Sequence, residues 1–293
     1  MKSIKLADGR VLAYRDYGNP DGQPVLFIHG FADSGVVRYH DDAYTAAIGA
    51  RIIAPDLPGV GGSSPDRGRT VSRWAGDARQ LVDQLGLEKF GVAAVSSGGS
   101  HALSLAHALP DRVTRLSLVS PTPRFDDPEV WKFINSNQLR TIARLRRMGM
   151  LFLLRPVYAY LYYKSRSNPE AFVRESALNY FSDAEGVLDS QKQYKIFEEN
   201  FLAGVAHAGA GVYETTCADM HPWGFEMSDI RQPVTLFYGD KADLIAPEIS
   251  HHIAAQLPNS KICFWPDCGR YGFVRRDRWT QFIGAALAPL EDR

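Results

Sequence analysis

Cysteine is scarce in this sequence, and long apolar runs, internal repeats and an excess of either charge are missing. The three cysteines, Cys217, Cys263 and Cys268, include no C-x-x-C pair and leave an odd thiol under any pairing, which argues against a disulfide framework. Lys+Arg 33 and Asp+Glu 33 give a formal net charge of +0, so no overall field draws the chain to nucleic acid or to an acidic membrane. Small neutral or mixed-charge partners are therefore expected.

Targeting and membrane signals are also missing. The first ten residues contain no apolar stretch of the kind that a signal peptide has, and no apolar run is long enough to span a bilayer. No group of His, Cys, Asp or Glu has the spacing of metal ligands. We therefore expect a cytoplasmic protein without a transmembrane segment, metal or cofactor. A homodimer is compatible with the sequence.

Short apolar stretches recur along the chain and are typical of buried strands. Residues 3–6 and 11–17 flank an Asp-Gly turn signal and predict a β-hairpin. Further strands are predicted at residues 25–28, 51–54, 90–95 and 116–119. Residues 71–85 have helical spacing. Because such strands alternate with helical segments, the pattern predicts an α/β fold with a mostly parallel sheet flanked by helices.

The character of the chain changes after this region. From residue 124 to about residue 228 the sequence is aromatic and favours helix, without a clear strand. Further apolar strands are predicted at residues 233–238 and 261–265. With 45% hydrophobic residues, the 293-residue chain can bury one large core that carries an insertion. We therefore expect a core of residues 1–121 and 229–293, with a helical cap inserted at residues 122–228.

A serine pair stands at the end of an apolar strand and is followed by two glycines. A strand that stops in a tight turn at a serine and continues as a helix has the geometry of a nucleophile elbow. The usual pattern is Gly-x-Ser-x-Gly; around Ser96, Ala94 replaces the first glycine and Gly98 is the second. Choosing Ser97 would put the β-branched Val95 at the first small position, which favours Ser96. A glycine-containing turn with an incidental serine is the alternative.

Four motifs follow one another at the ends of predicted strands. They are His29-Gly30-Phe31, Asp56-Leu57-Pro58-Gly59-x-Gly61-x-Ser63, Ala94-x-Ser96-x-Gly98-Gly99 and Gly239-Asp240-Lys241-Ala242-Asp243-Leu244-Ile245-Ala246-Pro247. In this order they resemble the motifs of the α/β-hydrolase fold family, and in particular of members with a helical cap. The resemblance covers the core nearly end to end.

The resemblance implies a role for each matching residue. Ser96 would be the nucleophile, and the backbone N–H groups of Phe31 and Ser97 would form the oxyanion hole. Asp243 would be the acid that orients the catalytic histidine; Asp240 is a rival, and a helix N-cap is the alternative role for Asp243. Substrate contacts are expected from His29, Gly30, His221 and Trp223.

The sequence departs from the family at the third member of the triad. After the last strand the family has a glycine followed by the catalytic histidine, whereas here Gly269 is followed by Arg270. A guanidinium stays protonated at any working pH and has only donors, so Arg270 cannot take the proton of Ser96. The oxyanion hole and binding contacts of an enzyme without its base still give a reaction rate roughly 10³–10⁴ times that in water. Hydrolysis is therefore expected to be impaired.

No other histidine is an obvious replacement for the base. His29 fits the shaping of the oxyanion turn better than proton transfer. Packing or surface positions are expected for His101, His107, His251 and His252. His221, at the exit of the helical segment, is the one that could reach the pocket.

Residues 144–166 form a second unusual stretch, with a basic start, an apolar centre interrupted by Pro156 and a tyrosine-rich end. Such a stretch could bind a lipophilic ligand or lie on a membrane, and more often it consists of helices packed on the core. Because cap side chains close the pocket over the elbow, the Phe, Tyr, Leu and Met of this segment favour an apolar or aromatic small-molecule substrate.

Three functions fit these observations. The first is a serine hydrolase of small apolar or aromatic esters in which Arg270 impairs hydrolysis. The second is a non-catalytic pseudo-hydrolase that binds a ligand and has lost the base. The third is a lyase or cyclase of the same fold in which Arg270 holds an anionic group. The intact Ser96, Asp243 and His29-Gly30-Phe31 favour the first.

Overall fold

The computed structural model describes residues 1–180, 190–241 and 246–287, without the side chains of residues 177–180 and 270. The strands in these ranges are β1 (Lys2–Lys5), β2 (Val11–Gly18), β3 (Gln23–Ile28), β4 (Ala50–Pro55), β5 (Phe90–Val95), β6 (Val113–Val119), β7 (Val234–Gly239) and β8 (Ser260–Trp265). They form one eight-stranded sheet in the order β1-β2-β4-β3-β5-β6-β7-β8. The ladders β1·β2 and β2·β4 are antiparallel and the others are parallel, which confirms the predicted fold class.

Helices cover both faces of this sheet. They are α1 (Asp42–Ala47), α2 (Val71–Gln84), α3 (Gly98–Ala108), α4 (Asn137–Arg147), α5 (Leu154–Ser167), α6 (Pro169–Tyr180), α7 (Gln191–Gly204), α8 (Ala210–Met220), α9 (Pro247–Gln256) and α10 (Arg276–Ala286). Short 3₁₀ turns occur at Pro128–Lys132, Leu151–Leu153, His207–Gly209, Met227–Asp229 and Arg270–Val274. No described helix has both the length and the apolar character that crossing a membrane requires.

The predicted elements of the core are confirmed to within a few residues. Helix α2 starts after Thr70, whose hydroxyl accepts the N–H of Arg73, and it buries one side through Trp74 and its helical neighbours. Helix α1 is short, and six residues are too few to show a helical period. Its start is fixed locally, since the Asp41 side chain accepts the N–H of Tyr44.

Between β6 and β7 the described residues contain helices and turns but no strand. Two of these helices contact the loops that follow β3 and β4. The N–H of Gly211, in α8, donates to the carbonyl of Gly59 at 3.2 Å. At Gly204, in α7, a Cβ would lie only 2.0 Å from the carbonyl oxygen of Ala32, so α7 reaches this loop because residue 204 has no side chain. The boundaries 122–228 for a separate helical domain stay a prediction.

Candidate active site

Ser96 lies in the sharp turn between β5 and α3. Its φ is +52°, a left-handed conformation that non-glycine residues rarely adopt. Its N–H donates to the carbonyl of Val119 (2.9 Å), and its own carbonyl accepts the N–H groups of Gly99 (2.9 Å) and Thr122 (3.2 Å). The surrounding backbone therefore holds the strained turn in place. Within the described residues, the Ser96 hydroxyl has no hydrogen-bond partner.

The turn also brings α3 very close to the end of β3. A Cβ on Gly98 would lie 2.4 Å from the carbonyl oxygen of Ile28 and 2.6 Å from that of His29. Any side chain at residue 98 would therefore push the helix away from the strand. This contact explains why the position two residues after Ser96 must be glycine, and it sets the start of α3 beside the loop that carries Phe31.

The backbone N–H groups of Phe31 and Ser97 are unused donors. Neither forms a hydrogen bond with another group in the part of the chain that the structure describes. Ser97 is the N-cap residue of α3, where the helix dipole favours negative charge. The ring of Phe31 packs edge-to-face on Tyr158 of α5, with centroids 6.1 Å apart. Free donors at such a position can stabilise an oxyanion.

His29 is buried and uses both ring nitrogens within the protein. Its Nε2 accepts the N–H of Leu57 at 3.0 Å, which leaves the proton on Nδ1, and Nδ1 donates to the carbonyl of Gly30 at 2.9 Å. Burial lowers the pKa of His29, so its ring is neutral. The ring thus joins the loop after β3 to the loop after β4. A direct contact of His29 with substrate stays a prediction.

Asp33 buries a carboxylate near Ser96. Its Oδ1 accepts hydrogen bonds from Asn200 Nδ2 (2.7 Å) and from the hydroxyl of Tyr271 (2.6 Å). Its Oδ2 is buried and has no hydrogen-bond partner among the described atoms. This oxygen lies 3.1 Å from the position that a Cβ on Gly30 would occupy, and the Cβ of Ser96 lies 3.0 Å from the same point. An unpartnered buried acceptor is costly, and it is the strongest functional feature that the sequence did not reveal.

The predicted acid and base positions are described only in part. Asp243 lies outside the described residues. Its rival Asp240 accepts the N–H of Cys268 through Oδ1 at 3.2 Å, so this carboxylate holds the loop after β8. Arg270 opens the short helix Arg270–Val274 in that loop. The next residue, Tyr271, reaches the buried carboxylate near the elbow. The loop therefore lies at the same edge of the sheet as Ser96.

His221 and Trp223 lie apart from the elbow turn. His221 is exposed, donates from Nδ1 to the carbonyl of Cys217 at 2.6 Å, and lines a cavity of about 360 Å³ together with Arg146 and Arg155. Ser96 is not among the residues that line this cavity. Trp223 is 1% exposed and belongs to the hydrophobic core. The expected substrate contacts of both residues stay predictions.

A buried polar cluster lies behind the elbow, between α3 and α8. Arg69 donates from Nη1 to Nε2 of His101 (2.9 Å) and from Nη2 to the hydroxyl of Thr215 (2.6 Å). The hydroxyl oxygen of Ser100 is 3.0 Å from Asp219 Oδ1 and 2.8 Å from the carbonyl of residue 97. A hydroxyl has one proton and can donate to only one of these oxygens. A protonated Asp219 would supply the missing proton.

Burial controls the charges in this cluster. It lowers the pKa of His101 to about 3, with help from the positive charge of Arg69. It also raises the pKa of Asp219 to about 7, although the hydrogen bond to Ser100 and the charge of Arg69 act in the opposite direction. His101 is therefore neutral at pH 7, whereas Asp219 keeps its proton to a much higher pH than an exposed carboxyl does. No sequence motif connects these residues, so the sequence predicted packing for His101 and no role for Arg69, Thr215 or Asp219.

Comparison with known proteins shows the family. A family model described as alpha/beta hydrolase fold matches residues 23–277. The chain belongs to the alpha/beta hydrolase fold family. The matched part of this alpha/beta hydrolase runs from the start of β3 into the first turn of α10 and includes the elbow at Ser96.

Among its relatives is the pimeloyl-[acyl-carrier protein] methyl ester esterase of Aromatoleum aromaticum, 28% identical over 265 residues, which are 85% of this chain and 92% of that protein. The dihydrolipoyllysine-residue acetyltransferase component of the acetoin cleaving system of Cupriavidus necator is 38% identical over 120 residues, which cover 39% of this chain. The matched part of the chain covers 30% of the length of that relative, and 45% and 39% of the lengths of two further relatives. The chain therefore spans less than half the length of each of the three.

Solved structures share the fold over nearly the whole chain. The thermophilic esterase of Thermogutta terrifontis is 24% identical, with a TM-score of 0.67 and a coverage of 97% of both chains. The enol-lactonase of Burkholderia xenovorans is 17% identical, with a TM-score of 0.68 and a coverage of 97% of this chain and 98% of that one. At these identities the likeness shows the fold alone.

Proposed function

We propose that this alpha/beta hydrolase is a serine hydrolase of small apolar or aromatic carboxylic esters. In this proposal Ser96 is the nucleophile, the N–H groups of Phe31 and Ser97 form the oxyanion hole, and Asp243 is the acid of the triad. The helices of residues 122–228 act as a cap that encloses the apolar part of the substrate. Turnover is slow, because an arginine that cannot accept a proton follows Gly269.

One observation carries the proposal. Ser96 is held at a φ of +52°, next in the chain to an unused N–H donor on residue 97, while a second unused donor lies on Phe31. A serine at the apex of such a turn, with two free donors beside it, is the arrangement that stabilises the tetrahedral intermediate of acyl transfer. The relatives and structural neighbours include esterases, which supports an ester as the substrate.

Substitution of Ser96 tests the proposal. We expect the parent protein to hydrolyse p-nitrophenyl butyrate faster than Ser96→Ala, which should keep only the rate of roughly 10³ over water that the oxyanion hole and binding contacts supply. Ser97→Ala is the matched control, because residue 97 contributes its backbone N–H and keeps it in this variant. Equal rates for Ser96→Ala and the parent would contradict the assignment of the nucleophile.

A non-catalytic pseudo-hydrolase is the second candidate, and Arg270 is the observation that favours it. Such a protein would bind an apolar ester analogue tightly and show no turnover that depends on Ser96. A lyase or cyclase in which Arg270 holds an anionic group would instead convert an anionic substrate without releasing an alcohol. Isothermal titration with a non-hydrolysable ether analogue, alongside the rate measurements, separates binding without turnover from slow hydrolysis.

We propose in addition that Asp33 accepts the proton of Ser96 in the absence of a histidine. The free Oδ2 of Asp33 and the Cβ of Ser96 approach the same point above Gly30, at 3.1 and 3.0 Å. A general base must lie within hydrogen-bond reach of its proton, directly or through one water molecule. In the first step the hydroxyl proton passes to Oδ2 while Oγ attacks the ester carbonyl. The protonated carboxyl then returns the proton to the departing alkoxide.

Asp33→Asn tests this role, because the amide keeps the shape of the side chain and loses the base. We expect the slow hydrolysis by the parent to fall at least about tenfold, with kcat rather than KM affected. In an Arg270→His background the same substitution should have a much smaller effect, since the imidazole then accepts the proton. Asn200→Ala, which removes a partner of Oδ1, shows how far disturbance of the loop alone lowers the rate. Equal losses in both backgrounds would identify Asp33 as a structural residue.

A further inference from the structure

The exposed apolar side chains of this protein are concentrated in one part of the helical segment. Among the described residues, six of the nine large hydrophobic side chains that are exposed lie between residues 148 and 163. They are Met148, Phe152, Leu153, Val157, Tyr160 and Tyr163. The other three, Met1, Val11 and Phe264, are far apart in the sequence. We call the six residues the apolar face.

Three residues of the apolar face follow the outer side of α5. Leu153 is the N-cap residue of α5, and Val157 and Tyr160 follow it at spacings of four and three residues, which places all three on one side of the helix. The inner side of α5 packs on the protein: Tyr158 is buried, and its hydroxyl is 3.0 Å from that of Thr216 in α8. The helix is therefore covered on one side and exposes apolar side chains on the other.

The same segment is strongly basic, although the whole chain has a formal net charge of +0. Between Glu129 and Glu170 there is no acidic residue, and there are eight basic ones. They are Lys132, Arg140, Arg144, Arg146, Arg147, Arg155, Lys164 and Arg166. Three of them, Arg144, Arg146 and Arg147, end α4 and form no ion pair with any described residue.

The basic end of α4 lies beside the apolar face in space as well as in sequence. Arg146 lines the cavity of about 360 Å³ together with Phe152 and Arg155. Arg155 stacks over the ring of Tyr213, 4.7 Å from its centroid, and is therefore held at the base of α5. Arg146 and Arg155 thus lie beside the exposed Phe152 on one surface, where Glu214 is the only carboxylate among the residues that line the cavity.

We propose that this surface docks the protein on a bilayer that contains anionic phospholipids. Exposed apolar and tyrosine side chains enter the boundary between headgroups and acyl chains, while adjacent arginines bind anionic headgroups. A second copy of the chain fits the same surface poorly, because it would bring the arginines Arg144, Arg146 and Arg147 of the two copies close together, and like charges repel. The proposal is independent of the hydrolase function.

Flotation of the full chain with vesicles tests the proposal. We expect the protein to bind vesicles of phosphatidylcholine mixed with phosphatidylserine, to bind phosphatidylcholine alone much more weakly, and to dissociate as NaCl is raised. The variant Arg144→Glu/Arg146→Glu/Arg147→Glu should lower the partition coefficient at least about tenfold. The variant Phe152→Ser/Val157→Ser/Tyr160→Ser should lower it for anionic vesicles without removing the salt dependence.

Matched variants control for total charge and exposure. Lys5→Glu/Lys89→Glu/Lys192→Glu changes the net charge by the same amount at exposed positions elsewhere, and Phe264→Ser removes an apolar side chain as exposed as Phe152. Both should bind vesicles as the parent does, and near-parent thermal midpoints would show that all variants are folded. Failure of the parent to bind anionic vesicles, equal binding to neutral vesicles, or equal losses in the controls would overturn the proposal. The proposal would also be overturned if sedimentation showed that the parent is a dimer and that Phe152→Ser/Val157→Ser/Tyr160→Ser is a monomer.

Discussion

Hydrolysis of p-nitrophenyl butyrate should rise at least about 100-fold when histidine replaces Arg270. Arg270 follows Gly269 and opens the short helix after β8, and the neighbouring Tyr271 contacts the buried carboxylate near Ser96. An imidazole at residue 270 would bring an acceptor to the same edge of the sheet as the nucleophile. The gain should appear in kcat and should follow a pKa near 6.5, since only the neutral imidazole accepts a proton.

Two further variants show whether such a gain comes from the new base and whether it needs Ser96. Arg270→Gln removes the positive charge without adding a base, so a comparable gain in this variant would show that the arginine obstructs the pocket. Ser96→Ala/Arg270→His should show none of this gain, because the new base then has no nucleophile. If Arg270→His gains nothing while the protein binds an apolar ester analogue tightly, the pseudo-hydrolase becomes the better description.

The stability of Asp219→Asn relative to the parent should rise by about 4 kcal/mol as the pH rises from about 4 to about 7. Burial raises the pKa of Asp219 from its ordinary 3.8 to about 7. Between these values the unfolded chain has lost the proton and the folded protein still holds it. The free energy of unfolding therefore falls by about 1.4 kcal/mol per pH unit through this residue, and the amide removes that loss.

His101 titrates with the opposite sign over an overlapping range. Burial lowers its pKa from 6.5 to about 3, so between these values the unfolded chain holds a proton that the folded protein lacks. Its contribution to stability therefore rises with pH and offsets that of Asp219 between about pH 4 and pH 6.5. Relative to the parent, His101→Asn should thus show the reverse pH slope.

Urea unfolding followed by tryptophan fluorescence at a series of pH values measures both slopes. Asp111→Asn is the control, because it removes an exposed carboxyl and shows what the loss of one negative charge does by itself. Parallel pH profiles for Asp219→Asn and the parent would mean that Asp219 ionises in the folded protein as it does in the unfolded chain.

Much of the core could be predicted because its signals are local. The strand at residues 90–95 is a continuous apolar run, and the hairpin before it is marked by Asp8-Gly9 at its turn. The elbow was predicted from small residues within a few positions of Ser96. Each of these signals depends only on residues that are neighbours in the sequence, so it can be recognised without knowledge of the fold.

The features that the sequence did not reveal depend on distant partners. Asn200 meets Asp33 across 167 positions, and Arg69 meets Thr215 across 146. From the sequence alone, an aspartate in a loop is interpreted as a turn residue, because nothing near it in the sequence shows that a distant helix buries it. The raised pKa of Asp219 likewise results from burial, which no local pattern encodes. The roles of these residues depend on the packing of α7 and α8 against the rest of the protein, which the sequence does not show.

The contact between Gly204 and the carbonyl of Ala32 constrains how this protein can diversify. At that point helix and loop meet backbone to backbone, so this contact does not depend on side-chain chemistry, unlike the hydrogen bond from Asn200 to Asp33 in the same loop. Substrate range can therefore drift through substitutions elsewhere in the helices while the loop that carries Phe31 keeps its position. A single methyl group at residue 204 would separate the two, so this glycine should be the least replaceable residue of α7.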